Sequence, residues 1–64
     1  MKKFIVVTNF NNDEENSVEV DNIKNFNRID DRTVIYFCDA QAYLRCKETP
    51  REILGLIEGG GPKN

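Results

Sequence analysis

The hydrophobic pattern of the chain is clearest near its C-terminus, where apolar residues recur at helical spacing. Four of them are expected to share one helical face: Ile53, Leu54, Leu56 and Ile57. Thr49 can cap this helix, Pro50 suits its first position, and Glu52 can reach back to the amide of Thr49. The glycine run that follows can end it. The pattern predicts a helix from Pro50 to about Glu58, then a flexible tail over residues 59–64.

Before the helix, β-branched and aromatic residues occur in short runs separated by polar segments, which is typical of strands and turns. The predicted strands are residues 3–8, 17–21, 24–29, 33–39 and 42–47. The stretches 9–16 and 30–32 are rich in Asn and Asp, so we predict turns there. The predicted fold class is α+β, with a small curled antiparallel sheet of four or five strands and one C-terminal helix packed on one face. Residues 1–58 would form this single domain.

The last two strands are predicted to form a hairpin, and the length of its loop decides which side chains share a face. A two-residue turn at residues 40–41 pairs Ile35 with Cys46, whereas a three-residue turn at residues 39–41 pairs Val34 with Cys46. In the two-residue register one face is apolar, and we assign it to the core: Ile35, Phe37, Leu44 and Cys46. The opposite face, called the tyrosine face below, collects Val34, Tyr36, Cys38, Tyr43, Arg45 and Lys47.

The strand and helix patterns together predict one small hydrophobic core. Its predicted members are Ile5, Val7, Val18, Val20, Ile23, Phe26, Ile35, Phe37, Leu44, Cys46, Ile53, Leu54, Leu56 and Ile57. A chain of 64 residues buries only about 60% of its extended-chain surface. Small domains often gain the missing stability from association with further copies, so we expect a homo-oligomer.

The cysteines and the net charge limit the cellular location and the kinds of partner that we expect. Neither hairpin register brings Cys38 and Cys46 within the distance of about 7 Å between α-carbons that a disulfide needs. Two free thiols indicate a reducing, cytoplasmic location. We expect no secretory signal and no membrane span, because Lys2 and Lys3 precede only a short apolar run. The net charge of −2 argues against general binding to nucleic acid or anionic membrane.

Catalytic and metal sites have no strong candidate residues in the sequence. A cysteine nucleophile generally needs a base, most often histidine, and the chain has none. The acidic residues 13–15 and 30–31 lie in predicted turns, where such residues favour local hydrogen bonds, and they lack the spacing of a calcium loop. A structural zinc site needs four ligands, usually Cys or His. We therefore expect no enzyme, no cofactor and no metal.

The tyrosine face is the best candidate for a binding site. A solvated sheet face usually alternates cleanly to polar residues, but this face mixes aromatic and cationic side chains. Such a mixture suits a protein surface, an anionic ligand or stacked bases. The candidate binding residues are Tyr36, Tyr43, Arg45 and Lys47.

Three functions follow from this face. The leading interpretation is a non-enzymatic interaction module that works as a homo-oligomer and can engage a protein partner. The first alternative is a nucleic-acid-binding accessory or regulatory factor, and the second is a small-molecule binder with a site between subunits.

The order of predicted elements also resembles known families. The residues that carry the resemblance are Val18–Ile23, Thr33–Phe37 and Ala42–Ile53, with Tyr43-Leu44 in the hairpin and Lys47-Glu48-Thr49-Pro50 at the helix start. Over residues 17–58 the chain resembles the first part of LytTR-type DNA-binding domains. It also resembles FlbD-like short bacterial proteins, which occur around motility genes. The resemblance implies strands followed by a hairpin and a helix, and it assigns no functional residue to this chain.

Overall fold

The structure is a computed structural model that describes residues 2–39 and 41–59. Within these residues the chain forms five strands: β1 (Phe4–Thr8), β2 (Glu15–Glu19), β3 (Ile23–Ile29), β4 (Arg32–Phe37) and β5 (Tyr43–Cys46). A short 3₁₀-helix, Val20–Asn22, links β2 to β3, and the helix α1 spans Pro50–Gly59. Most of the predicted tail, residues 60–64, lies outside the described residues.

The predicted α+β architecture is confirmed, although the five strands divide into two antiparallel sheets. One sheet is the β1–β2 hairpin, and the other has the order β3-β4-β5. An isolated bridge between Asn9 and Cys46 joins the two sheets. The residues around this bridge, 8–10 and 45–48, are called the seam below. Because of the seam, the two sheets curl around a common interior as a single curled sheet would.

The seam is held by backbone and side-chain hydrogen bonds between distant parts of the chain. The amides of Phe10 and Lys47 donate to the carbonyl oxygens of Arg45 and Thr8, each at 3.0 Å. The half-buried carboxylate of Glu48 accepts two further bonds, from the amide of Thr8 at 2.8 Å and from its hydroxyl at 2.9 Å. Hydrogen bonds to a charged acceptor are among the stronger ones in proteins. Glu48 therefore fastens the end of β1 to the segment that leads into α1.

One hydrophobic core lies between the sheets and the helix. Its buried members are Ile5, Val7, Val18, Ile35, Cys46 and Ile53. Partly buried apolar residues pack around them: Val20, Ile23, Phe26, Phe37, Leu44, Leu56 and Ile57. All of these residues were predicted as core. The alternation along each strand therefore identified which face turns inward.

Leu54 is a wrong member of the predicted core, since 48% of it is exposed. At about 100° per residue, Leu56 and Ile57 lie within about 60° of Ile53 on the helix, whereas Leu54 lies about 100° away. The helix packs through Ile53, which is fully buried, so the side chain of Leu54 faces solvent. The apolar face of the helix is therefore wider than the part that the sheets cover.

The predicted register of the β4–β5 hairpin is also wrong, by two residues. Ile35 pairs with Leu44 and Thr33 pairs with Cys46. Since side chains alternate along a strand, a shift of two residues keeps each of them on its predicted face. The division into an inner face and a tyrosine face therefore survives the error. Thr33, which was not predicted as core, becomes a buried member of the inner face.

The register differs because the connection between β4 and β5 is longer than a tight turn. Phe37 pairs with Ile23 of β3, but the pairing of β4 with β5 already ends at Tyr36. The last pair between β4 and β5 is Tyr36 with Tyr43, and residues 37–42 connect them. A prediction that assumes the shortest possible turn misses this longer connection.

The predicted N-terminal cap of the helix is confirmed in both directions. The amide of Thr49 donates to the carboxylate of Glu52 at 2.8 Å, and the amide of Glu52 donates to the hydroxyl of Thr49 at 3.1 Å. This reciprocal pair satisfies two amides that the first helical turn would leave without partners. The cap fixes the start of α1 two residues after the seam.

Strand boundaries shift slightly from the prediction around β2. The strand begins at Glu15 instead of residue 17, and it ends at Glu19 because Val20–Asn22 adopts a 3₁₀ turn. Asp13 and Asp30 have positive φ values of 63° and 55°. Asp tolerates this left-handed conformation better than most residues, which is why both predicted turns carry it.

Substitution of Ile53 and of Leu54 tests which side of the helix packs. Ile53→Ala should lower the free energy of unfolding by about 2–5 kcal/mol, because it leaves a cavity in the core. Leu54→Ala, one position along the same helix, should change it by less than about 0.5 kcal/mol. Urea denaturation followed by far-UV circular dichroism measures both. Equal losses would mean that α1 packs through another face.

Substitution of Glu48 tests the seam. Glu48→Ala should lower the free energy of unfolding by about 1–3 kcal/mol, since it leaves the half-buried amide and hydroxyl of Thr8 without their acceptor. Glu58→Ala, at an exposed position of α1, is the matched control and should change stability little. The same denaturation experiment compares them, and a Glu48 variant as stable as the control would contradict the assigned role.

Candidate functional site

Three of the predicted binding residues form one cluster on the tyrosine face. Tyr36 and Tyr43 are direct cross-strand partners, with ring centroids 6.4 Å apart and ring planes tilted by 55°. The guanidinium carbon of Arg45 lies 5.2 Å from the ring centre of Tyr43, and its Nη2 donates to the tyrosine hydroxyl at 3.3 Å. The ring separation of 6.4 Å and the cation–ring distance of 5.2 Å lie within the usual ranges for aromatic and cation–π pairs. Tyr43 is nonetheless 52% exposed, so the cluster presents an aromatic surface to solvent.

Lys47, the fourth predicted residue, does not join this cluster. Its amide belongs to the seam, and its ammonium group forms an ion pair with Asp13 in the β1–β2 turn. Lys47 lies just past Cys46, the last residue of β5, so strand alternation does not extend to it. The structure thus separates a compact Tyr36–Tyr43–Arg45 cluster from a lysine that is already paired.

Two other members of the tyrosine face behave differently from one another. Val34 is only 6% exposed, so the face is partly covered beside Arg45, its cross-strand partner. Cys38 is exposed beyond the end of β4. The face is therefore covered at Val34 and accessible at Tyr43 and Cys38.

Sequence reasoning missed residues beside the tyrosines. A shallow, open depression of about 410 Å³ is lined by Lys24, Asn25, Tyr36, Phe37, Gln41, Ala42 and Tyr43. Lys24 lies there because the pairing of β3 with β4 is irregular between Ile23 and Asn25. Such a bulge redirects a side chain, and nothing in the local sequence indicates it. The site therefore includes a second cation near the tyrosines.

Arg32 adds a further cationic position on β4 that was not predicted. Its guanidinium lies 4.6 Å from the ring centre of Phe10, which belongs to the β1–β2 turn. The Nη2 atom of Arg32 also lies 3.3 Å from Oδ1 of Asp31. Arg32 is thus engaged within the chain, whereas Arg45 has no carboxylate within 4.0 Å among the described residues.

Charge is unevenly distributed over the fold. Residues 23–29, 32–37 and 43–46, which form β3, β4 and β5, contain four cationic residues and no carboxylate: Lys24, Arg28, Arg32 and Arg45. Residues 13–21 contain five carboxylates and no cation: Asp13, Glu14, Glu15, Glu19 and Asp21. A net charge of −2 therefore conceals a basic three-stranded sheet next to an acidic hairpin.

The outer surface of the β1–β2 hairpin is both apolar and acidic. Phe4 lies opposite Glu19, and Val6 lies opposite Ser17. Phe4 is 56% exposed and Val6 is 49% exposed, because the alternate residues Ile5 and Val7 form the buried face of β1. We call this surface, made of Phe4, Val6, Glu15, Ser17 and Glu19, the acidic face. The ion pair of Lys2 with Glu19, at 2.8 Å, lies at its end and raises the pKa of the lysine.

The two cysteines differ in their environment. Both are free, Cys46 being fully buried and Cys38 exposed. Burial, with the nearby charge of Glu48, raises the pKa of the Cys46 thiol to about 11. At neutral pH this thiol stays protonated, and it acts as an apolar core side chain.

Two further findings concern only the part of the chain that the structure describes. It holds no group of three or more His, Cys, Asp or Glu side chains arranged to bind a metal ion. Its helices include none with the length and hydropathy that a membrane crossing requires.

Comparisons of the chain with protein-family models, with curated proteins and with solved structures found no significant match. The resemblance to LytTR-type domains and to FlbD-like proteins therefore stays a prediction.

Proposed function

We propose that this protein is a non-enzymatic interaction module that associates with further copies of itself through the tyrosine face. The observation that carries this proposal is the Tyr36–Tyr43–Arg45 cluster, which lies on the sheet face opposite to the core. Tyrosine and arginine are enriched at the centres of protein interfaces, where the ring packs and the polar groups find partners. An open depression beside Tyr43 offers room for a side chain of the partner.

The helix covers part of the inner face, which supports the choice of the outer one. Ile35 and Cys46 are fully buried there, and Ile53 of the helix packs with them in the same core. The helix thus occupies the inner side, whereas Tyr43 remains half exposed on the outer side. A domain of this size also benefits from association, because its core alone supplies little net stability.

Tyr43 by itself is too small a contact to hold two copies together. Burying the exposed half of a tyrosine, on the order of 100 Å², stabilises a complex by about 2.5 kcal/mol. Loss of translational and rotational freedom costs about 4–15 kcal/mol. The proposed interface must therefore extend beyond the cluster to other exposed groups of the partner.

We place the module in a reducing compartment, the cytoplasm. The support for this placement is the exposed and unpaired thiol of Cys38, which an oxidising environment would tend to modify or pair. Cys46 adds a second free thiol inside the core.

Self-association predicts a concentration-dependent sedimentation coefficient. Tyr43→Ala should weaken the association by about tenfold or more, because it removes the central contact. Leu54→Ala is the matched control, since Leu54 is exposed to a similar degree (48% against 52%) but lies on the helix. Sedimentation velocity over a dilution series measures all three proteins. A wild-type chain that stays monomeric at the highest concentration would remove the proposal.

A second candidate function, binding of single-stranded nucleic acid, has its own supporting observation. The strands β3 to β5 combine cations with no carboxylate, and two tyrosines lie among them. Cations contact phosphates and aromatic rings stack on bases, so the tyrosine face has the required chemistry. The acidic hairpin of the same molecule opposes it by repelling a polyanion.

Fluorescence anisotropy with a labelled single-stranded oligonucleotide, at low and at moderate salt, separates the two candidates. If the second candidate is right, binding is detected at low salt, weakens as salt rises, and weakens further in Arg45→Ala. If the leading proposal is right, the anisotropy does not change at either salt concentration. Absence of binding at low salt rejects the nucleic-acid function, since phosphate contacts are strongest there.

A further inference from the structure

We infer that the tyrosine face of one copy binds the acidic face of the next copy, head to tail. This inference rests on the proposed self-association and adds the surface that the tyrosine face recognises. The recognised surface is the outer side of the β1–β2 hairpin, which the sequence pattern did not single out.

The acidic face has an apolar centre with carboxylates beside it. Phe4 and Val6 are adjacent outward positions on β1, and each is about half exposed. Glu19 lies opposite Phe4, and Glu15 is two residues from Ser17 on the same side of β2. Neighbouring exposed apolar residues with charges beside them match the apolar centre and polar rim of protein interfaces.

The tyrosine face has the complementary arrangement. Tyr43 and Tyr36 form its aromatic centre, and the cations Arg45 and Lys24 lie on either side of it. Neither cation has a carboxylate within 4.0 Å among the described residues. In the proposed contact, the apolar centre of the acidic face packs against the two tyrosines. Its glutamates then lie opposite the two cations. Complementary charge of this kind selects partners and orientation more than it adds affinity.

Pairing of either face with itself is disfavoured by the same charges. Two tyrosine faces would bring together the Arg45 and Lys24 side chains of both copies, and two acidic faces would bring together their glutamates. Like charges placed opposite each other at an interface cost several kcal/mol. The segregation of charge between the sheets therefore favours a heterologous contact over a two-fold one.

Within one molecule the edges of the two faces meet, but their centres do not. Ser17 and Glu19 line a depression of about 340 Å³ together with Tyr43, whereas Phe4 and Val6 do not line it and remain about half exposed.

The inner faces of both sheets contribute to one core, Val7 and Val18 from one sheet and Ile35 from the other. The two outer faces consequently point away from that core. Head-to-tail pairing leaves one free face at each end, so the assembly closes as a ring or grows as a chain.

One existing contact has to be exchanged. Lys2 pairs with Glu19 at 2.8 Å, and their side chains are 69% and 27% exposed. The exposed lysine can leave at small cost, which frees the accessible part of the Glu19 carboxylate for a cation of the partner.

Two double variants, each with one face removed, test the inference. Tyr43→Thr with Arg45→Thr removes the tyrosine face, and Phe4→Thr with Val6→Thr removes the acidic face. Threonine is β-branched and therefore suits a strand. Circular dichroism first checks folding. If a double variant does not fold, the single variants Tyr43→Thr and Val6→Thr replace the pair in the same experiment.

Sedimentation velocity at low salt then compares each variant alone with an equimolar mixture. Each variant alone should associate at least about tenfold more weakly than wild type. The mixture should form a dimer of one chain of each kind and stop there, because only one intact face remains on each. Raising the salt concentration should weaken both the wild-type assembly and this dimer.

Other outcomes overturn the inference in distinguishable ways. If the Phe4/Val6 variant assembles like wild type, the tyrosine face binds something other than the acidic face, and only the proposed self-association survives. If the mixture stays monomeric, the two faces do not recognise each other. If wild type itself is monomeric, the proposed function fails and the inference fails with it.

Discussion

The arrangement of this small protein depends on the seam between β1 and β5. Two backbone hydrogen bonds and the carboxylate of Glu48 join residues that are about forty positions apart. Cys46, which forms the bridge with Asn9, is fully buried, so the seam also forms one wall of the core. Because the capped helix starts directly after the seam, the position of β1 and the position of α1 are fixed together. Without this junction the β1–β2 hairpin would be a two-stranded unit, which is marginally stable in water.

The seam also decides which surfaces are left for function. It turns the inner faces of both sheets toward one interior, and the helix fills the remaining side through Ile53. The outer faces are then the principal exposed sheet surfaces. They differ in charge, because acidic and basic residues occur in different segments of the chain. Carboxylates are concentrated in residues 13–21, and cations occur along β3, β4 and β5. A single folding constraint thus yields one apolar, acidic surface and one aromatic, basic surface on the same molecule.

Features that depend on neighbouring residues were predictable from the sequence, and features that depend on distant pairing were not. The cap of Thr49 and Glu52 lies within one helical turn, and strand alternation identified the inward positions. The β4–β5 register was wrong because the strands are joined by a longer connection than the predicted two-residue turn, and their pairing ends at Tyr36 and Tyr43. Leu54 was wrong because the sheets cover only part of the apolar helix face. For the site, Tyr36, Tyr43 and Arg45 were predicted to lie together and do. Lys24 was missed because of a bulge, and the pairing of Lys47 with Asp13 follows from the fold of a remote turn.

The central claim is that the two outer faces, and not the helix, are the surfaces through which copies of this chain meet. A dilution series of backbone amide spectra by nuclear magnetic resonance tests it most directly. The account predicts that chemical shifts change with concentration in two separate regions, residues 43–45 of the tyrosine face and residues 4–6 with 15–19 of the acidic face. Amides around Leu54 should stay constant. Shifts confined to one of the two faces, centred on α1, or absent at every concentration would contradict the claim.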